Sequence, residues 1–187
     1  KIEAVVADVP NAGAAQNEVN RLIQNEKVKV ITGIYGSAMA EVLEKALKPG
    51  ETLRGSVFTT GSAGTIGSGD YLKEIFPYSK LGASEALQCP TLLNNGFGAH
   101  RIEGIGDKHV PWIHNVKNTD LVVAIDDAAV VSLARLFNEK EGRAHLVKQG
   151  VPEALASRLD LLGFSGIANL LSCIKMAKVY ELGRKDV

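Results

Sequence analysis

The part of the chain best suited to chemistry is a run of small residues between two regular patterns. Leu53 to Phe58 predict a strand and Ile66 to Phe76 predict a helix, and a loop rich in small residues lies between them. This Gly-rich loop contains Gly61, Ser62, Ala63, Gly64 and Thr65. Small side chains leave backbone N–H groups uncovered, and the positive end of the following helix dipole attracts anions. The pattern predicts a phosphate-binding loop, with a plain strand-to-helix turn as the alternative.

Other residues with chemical potential are more isolated. Ser165 precedes an apolar helical pattern, and its position is typical of a helix N-cap. Three histidines, His100, His109 and His114, are separated by nine and five residues, a spacing that matches no zinc motif. Cys89 is expected to be a buried, inert thiol. We therefore expect no metal site, and we assign no catalytic residue.

The elements that would position these residues alternate between strands and helices. The first fifty residues read as strand, helix, strand and helix, with the strands at 2–7 and 28–31 and the helices at 14–26 and 38–47. After the Gly-rich loop we predict strands at 81–84 and 121–125, an irregular segment at 85–118, and helices at 128–138, 142–149, 152–162 and 165–182. This order predicts a single α/β domain over residues 1–187. It would be a three-layer sandwich with a mostly parallel sheet, Rossmann/flavodoxin-like.

Composition excludes several kinds of partner. Lys plus Arg and Asp plus Glu balance at 21 each, so no basic excess favours nucleic acid. No apolar run reaches the roughly 20 residues of a membrane span. The two cysteines lie far apart, which favours reduced thiols and a cytoplasmic location. The chain begins at Lys1 rather than at Met, which indicates a trimmed start or a fragment.

The first forty residues carry a resemblance of their own. Residues 5–8, 14–23 and 27–33 resemble the amino-acid-binding periplasmic proteins of branched-chain transporters. That resemblance implies a ligand contact in the loop at 35–38. It also implies a second lobe that closes over the ligand, and no segment of the chain matches that lobe.

From about residue 41 to the end, the chain resembles a different family, the large lobe of fold type II pyridoxal-phosphate (PLP) enzymes related to cysteine synthase. The matching motifs lie at 61–65, 69–74, 85–90, 100–106 and 165–168. The resemblance implies that the Gly-rich loop holds the PLP phosphate and that Ser165 meets the pyridine nitrogen. It places the loop at 102–106 near the cofactor. The family's catalytic lysine lies in its N-terminal part, and Lys1, Lys27 and Lys29 do not match its motif.

Because the two resemblances meet inside a helix near residues 38–41, the sequence favours an engineered or recombined chimera. We expect it to lack complete catalytic machinery and to need no cofactor, keeping at most a vestigial PLP-phosphate site that could hold phosphate or sulfate. The N-terminal segment would supply strands to an open sheet edge, and an edge left exposed would allow a homodimer. Two alternatives stay open. One is a PLP-dependent enzyme subunit of thiolase, lyase or transferase type that converts amino acids, and the other is an amino-acid-binding module.

Overall fold

A computed structural model describes residues 53–60 and 64–183, together with residues 17, 21, 25, 31 and 32. Side chains are described for residues 17, 21 and 25, for residues 53–60 and for residues 68–183. The predicted strand at 2–7, the predicted helix at 38–47 and the loop residues Gly61, Ser62 and Ala63 lie outside the described residues. So does the proposed junction near residues 38–41.

Within the described residues, four parallel strands form one sheet in the order in which they occur along the chain. They are β1 (Ile31–Thr32), β2 (Gly55–Thr59), β3 (Lys80–Ala86) and β4 (Leu121–Ile125). In the register, Ser56 lies opposite both Ile31 and Leu81, and Ala83 lies opposite Val122. The predicted α/β class with a parallel sheet is confirmed, and the strand predicted at 121–125 has the predicted bounds.

Six helices and two 3-10 turns lie within residues 64–183. The longer helices are α1 (Gly64–Ile75), α3 (Asp127–Asn138), α4 (Lys140–Lys148) and α6 (Phe164–Val179). The shorter elements are α2 (Thr91–Asn94), α5 (Glu153–Ala156) and the turns Val116–Asn118 and Leu159–Leu161. Asp126 caps α3, since its Oδ1 accepts the N–H of Ala128 at 2.9 Å.

The sheet lies between two helical layers because alternate strand residues face opposite sides. On one face Gly69 of α1 lies against Leu81, and on the other face Met176 of α6 lies against Gly55 and Gly82. An added Cβ on Gly82 would approach the Met176 methyl carbon to 2.8 Å, so the glycine makes room for that side chain. Every residue of β2 is buried, as expected for a strand covered on both faces.

Three local predictions are wrong. Strand β3 runs to Ala86 rather than Ser84, because Glu85 is buried there and finds hydrogen-bond donors. The helix predicted at 152–162 is broken into α5 and a 3-10 turn. Ser165 is not an N-cap, because α6 begins at Phe164 and Gly163 occupies the cap position.

None of the described helices combines the length and hydropathy that a membrane-spanning helix requires.

Candidate functional site

The candidate site lies where β2 ends and α1 begins, at the carboxyl edge of the parallel sheet. Gly64 and Thr65 are the first two residues of α1. The N–H groups of a first helical turn have no partner within their own helix, and they lie at the positive end of the dipole. The first turn of α1 contains no acidic residue that would repel an anion. This end of a twelve-residue helix therefore fits a phosphate group.

A second loop reaches the same edge and is bonded to the residue just before the Gly-rich loop. The N–H of Gly106 donates to the carbonyl oxygen of Thr60 at 2.9 Å. The N–H of Thr60 in turn donates to the carbonyl oxygen of Ser84 at 2.7 Å, which ties it to β3. Because Ile102 and Ile105 are buried in the core, the loop is held to the body of the domain.

Helix α6 brings Ser165 toward this edge. Met176 lies near the amino-terminal parts of β2 and β3, while Ser172 donates from its Oγ to the Oγ of Ser84 at 2.8 Å, closer to the carboxyl end of β3. The helix therefore runs antiparallel to the strands. Seven residues before Ser172, at about 1.5 Å each, Ser165 is displaced by roughly 10 Å toward the carboxyl edge. The structure thus brings Gly64, Thr65 and Ser165 to one edge of the sheet.

Sequence reasoning missed Asn169, which lies one helical turn after Ser165. Its side chain is 1% exposed, and within the described residues its Oδ1 has no hydrogen-bond partner. A buried acceptor without a donor is uncommon in a folded protein. The spacing of four residues from Ser165, which places both side chains on one helix face, is the sequence signal that could have found it.

Glu85 was also missed, although it lies within a motif of the resemblance. It is 1% exposed, and its two carboxylate oxygens accept the N–H groups of Leu92 and Leu93 at 2.8 and 3.0 Å. Burial raises the pKa of Glu85, and these backbone N–H groups oppose that change. The carboxylate therefore joins the end of β3 to the start of α2.

The histidines and Cys89 lie in separate surroundings. His114 Nε2 is 3.0 Å from Thr119 Oγ1, and burial lowers the pKa of His114 while nearby Asp70 opposes the change. A cavity of about 20 Å³ beside them, also lined by Thr60, has room for about one water molecule and is too small for a cofactor. Cys89 is buried, with its Sγ 3.7 Å from Thr91 Oγ1. In the part of the chain that the structure describes, no three side chains form a metal-binding group.

Comparison with curated proteins shows what the chain is similar to. It is 31% identical over 105 residues to a probable cysteine synthase of Bacillus subtilis, which covers 56% of this chain and 33% of that protein. It is 28% identical over 121 residues to cysteine synthase B of Campylobacter jejuni, which covers 64% of this chain and 34% of that protein. The chain thus spans about a third of the length of these relatives. No family model matches.

Solved structures that are similar to this chain share its α/β fold. A hydrogen sulfide-producing enzyme from Fusobacterium nucleatum is 23% identical, with a TM-score of 0.54 over 95% of this chain and 42% of that chain. The homologues and structural neighbours of this chain are cysteine synthase-like enzymes. These are fold type II PLP enzymes, the family that the motifs after residue 41 resemble.

These findings correct three predictions. The interpretation as an engineered chimera is wrong, because the likeness to a single enzyme fold extends over 95% of the chain and no periplasmic-type segment is shown. The predicted scaffold without catalytic machinery is wrong as well, since the relatives favour the PLP-enzyme alternative. The expectation of no cofactor is wrong, because cysteine synthase-like relatives depend on PLP.

Proposed function

We propose that this chain holds PLP in the large lobe of a PLP-dependent enzyme that converts amino acids. The observation that carries the proposal is the acid-free first turn of α1 at the carboxyl edge of the sheet, beside the Thr60–Gly106 hydrogen bond. Ligands of open parallel sheets bind at this edge. The relatives named cysteine synthase support an amino-acid substrate whose reaction involves sulfur.

Each group has a role in this proposal. The N–H groups of Gly64 and Thr65, with those of Gly61, Ser62 and Ala63, would bind the cofactor phosphate. The hydroxyl of Ser165 would donate to the pyridine nitrogen, and the loop at 102–106 would line one side of the ring. When bound, PLP supplies an electron sink that stabilises negative charge on the amino-acid substrate. The lysine that carries the cofactor is not assigned to a residue of this chain.

The location of the protein is part of the same proposal. The buried, reduced thiol of Cys89 supports a cytoplasmic compartment.

The test compares two ligands that lack the aldehyde, so that reaction with surface lysines does not contribute. Pyridoxine 5′-phosphate and pyridoxine are titrated into the protein by calorimetry. Since the helix N-terminus binds the phosphate, we expect the phosphorylated ligand to bind at least about tenfold more tightly, which is about 1.4 kcal/mol.

Two variants sharpen this test. Gly64→Val adds a branched side chain to the first residue of α1 and should weaken only the phosphorylated ligand. Glu141→Gln, at an exposed position on α4, is the control and should bind like the wild type. Equal affinity for the two ligands, or a Gly64→Val variant that binds normally, would contradict the proposal.

A further inference from the structure

We propose that Glu85 is a positioning residue for Thr60, the residue that precedes the Gly-rich loop. Glu85 acts through α2, because Thr91 of that helix binds Asp107, and the neighbouring Gly106 binds Thr60. The inference rests on the proposed function, because it concerns the geometry of the same site. It is carried by a continuous chain of contacts that begins in the sheet and ends at Thr60.

The first step is the buried carboxylate itself. Glu85 is the second-to-last residue of β3 and lies opposite Ala124 of β4, so its backbone is fixed within the sheet. A buried carboxylate is costly unless its oxygens are hydrogen-bonded. Both oxygens accept hydrogen bonds, from the backbone N–H groups of Leu92 and Leu93. These bonds fix α2 relative to β3.

The second step connects α2 to the loop that reaches the site. Thr91, the first residue of α2, donates from its Oγ1 to the carbonyl oxygen of Asp107 at 2.7 Å. The thiol of Cys89 lies 3.5 Å from the same oxygen. The position of Asp107 is therefore set by Cys89 and Thr91, which flank Pro90. Thr91 begins α2, the helix that is bonded to Glu85.

The third step joins the loop to the site. Gly106, next to Asp107, donates its N–H to the Thr60 carbonyl oxygen, while Thr60 donates from its N–H and Oγ1 to the Ser84 carbonyl oxygen. Thr60 is thus held from two sides by neighbouring residues of β3. Ser84 holds it directly, and Glu85 holds it through α2 and the loop. Thr60 is the residue that immediately precedes Gly61.

The experiment measures ligand affinity and backbone protection in the same variants. Glu85→Gln keeps the shape of the side chain but replaces one acceptor oxygen with an NH₂ group that faces an N–H donor. We expect pyridoxine 5′-phosphate to bind about tenfold more weakly and the Gly106 amide to exchange its hydrogen at least about tenfold faster. Glu141→Gln is again the matched control and should change neither value.

A second pair of variants separates positioning from general stability. Thr91→Val removes the hydroxyl donor to Asp107 with little change of shape, and it should reproduce both effects. Thr91→Ser restores the donor and should recover wild-type affinity and Gly106 protection, although it removes a methyl group. If Glu85→Gln fails to fold, this pair still tests the Thr91–Asp107 hydrogen bond on which the inference depends.

Two results would overturn the inference. One is a folded Glu85→Gln variant with unchanged affinity and unchanged Gly106 exchange. The other is a Thr91→Ser variant as impaired as Thr91→Val. If the wild type binds no pyridoxine 5′-phosphate, the proposed function fails, while Gly106 exchange still reports whether Glu85 holds the loop.

Discussion

Gly106 combines a left-handed backbone conformation with a hydrogen bond to Thr60 at the candidate site. Its φ of 90° lies in the left-handed region that favours glycine, and an added Cβ would overlap His100 Nε2. Because its N–H also donates to the carbonyl oxygen of Thr60, a shift at this position would displace Thr60, the residue that precedes the Gly-rich loop. We expect Gly106→Ala to lower the free energy of unfolding by about 2–3 kcal/mol, measured by urea denaturation.

The matched control for this change is Gly150→Ala. Gly150 has a φ of 93°, and no heavy atom lies within 4 Å of the position that a Cβ would take. It should show the cost of backbone strain alone, about 1 kcal/mol. Equal losses in the two variants would show that the contact with His100 does not contribute.

Single residues also show which parts of the proposed site have a local signature in the sequence and which do not. The small residues at 61–65 and the serine at 165 are visible in the sequence because glycines and a helix start have local signatures. Glu85 has no such signature, and Asn169 has only its spacing of four residues from Ser165. Their importance depends on burial and on partners in other elements, and a charged or amide residue in the sequence predicts a solvated surface position.

At the scale of elements, Asp120 joins three of them at the amino edge of the sheet. Its Oδ2 accepts from Lys73 of α1 at 2.6 Å and from the N–H of Leu81 in β3 at 2.8 Å, and Asp120 itself directly precedes β4. Burial alone would raise the pKa of Asp120, but the Leu81 N–H and the Lys73 ammonium outweigh burial and lower it. The ionised carboxylate therefore stabilises the folded state.

The pH dependence follows from the lowered pKa of Asp120. The stabilisation is fully present above the unfolded-state pKa of about 4, and it is lost as the pH falls through the lower folded-state pKa. We expect Asp120→Asn to reduce the free energy of unfolding by about 1–2 kcal/mol at pH 7, and the difference from wild type to shrink as the pH falls below 4.

The control for this prediction is Asp160→Asn. Asp160 pairs with Arg143 at 3.6 Å with both side chains about one-third exposed or more, so its loss should cost under about 1 kcal/mol. If the deficit of Asp120→Asn were the same at pH 3 and pH 7, the role given to the ionised carboxylate would be wrong.

Element boundaries show why the strands differed in how well they could be predicted. The run Leu121–Ile125 is continuously apolar, and its bounds match the prediction. Strand β3 contains Gly82, Ser84 and Glu85, so its apolar pattern ends early, although six of its seven residues are buried. The length of β3 depends on burial by α1 and α6, which pack on its two faces. The sequence of β3 alone does not reveal that burial.

At the scale of the whole molecule, alternation of strands and helices was enough to predict the α/β class. The strand order and the meeting of α6 with the carboxyl edge depend on long-range contacts, which no local pattern specifies. The interpretation of a chimeric junction near residue 40 is wrong, and it rested on local motifs alone. A likeness that extends over 95% of the chain favours a single enzyme fold.

The central claim is that the carboxyl edge of the sheet binds the phosphate of PLP. The most direct test follows the backbone amide signals by NMR during a titration with pyridoxine 5′-phosphate. We expect saturable shifts of Gly64, Thr65 and Gly106, with Gly150 unchanged and with much smaller shifts from pyridoxine at the same concentration. Saturable shifts that leave Gly64 and Thr65 unchanged, or no saturable shifts at all, would contradict it.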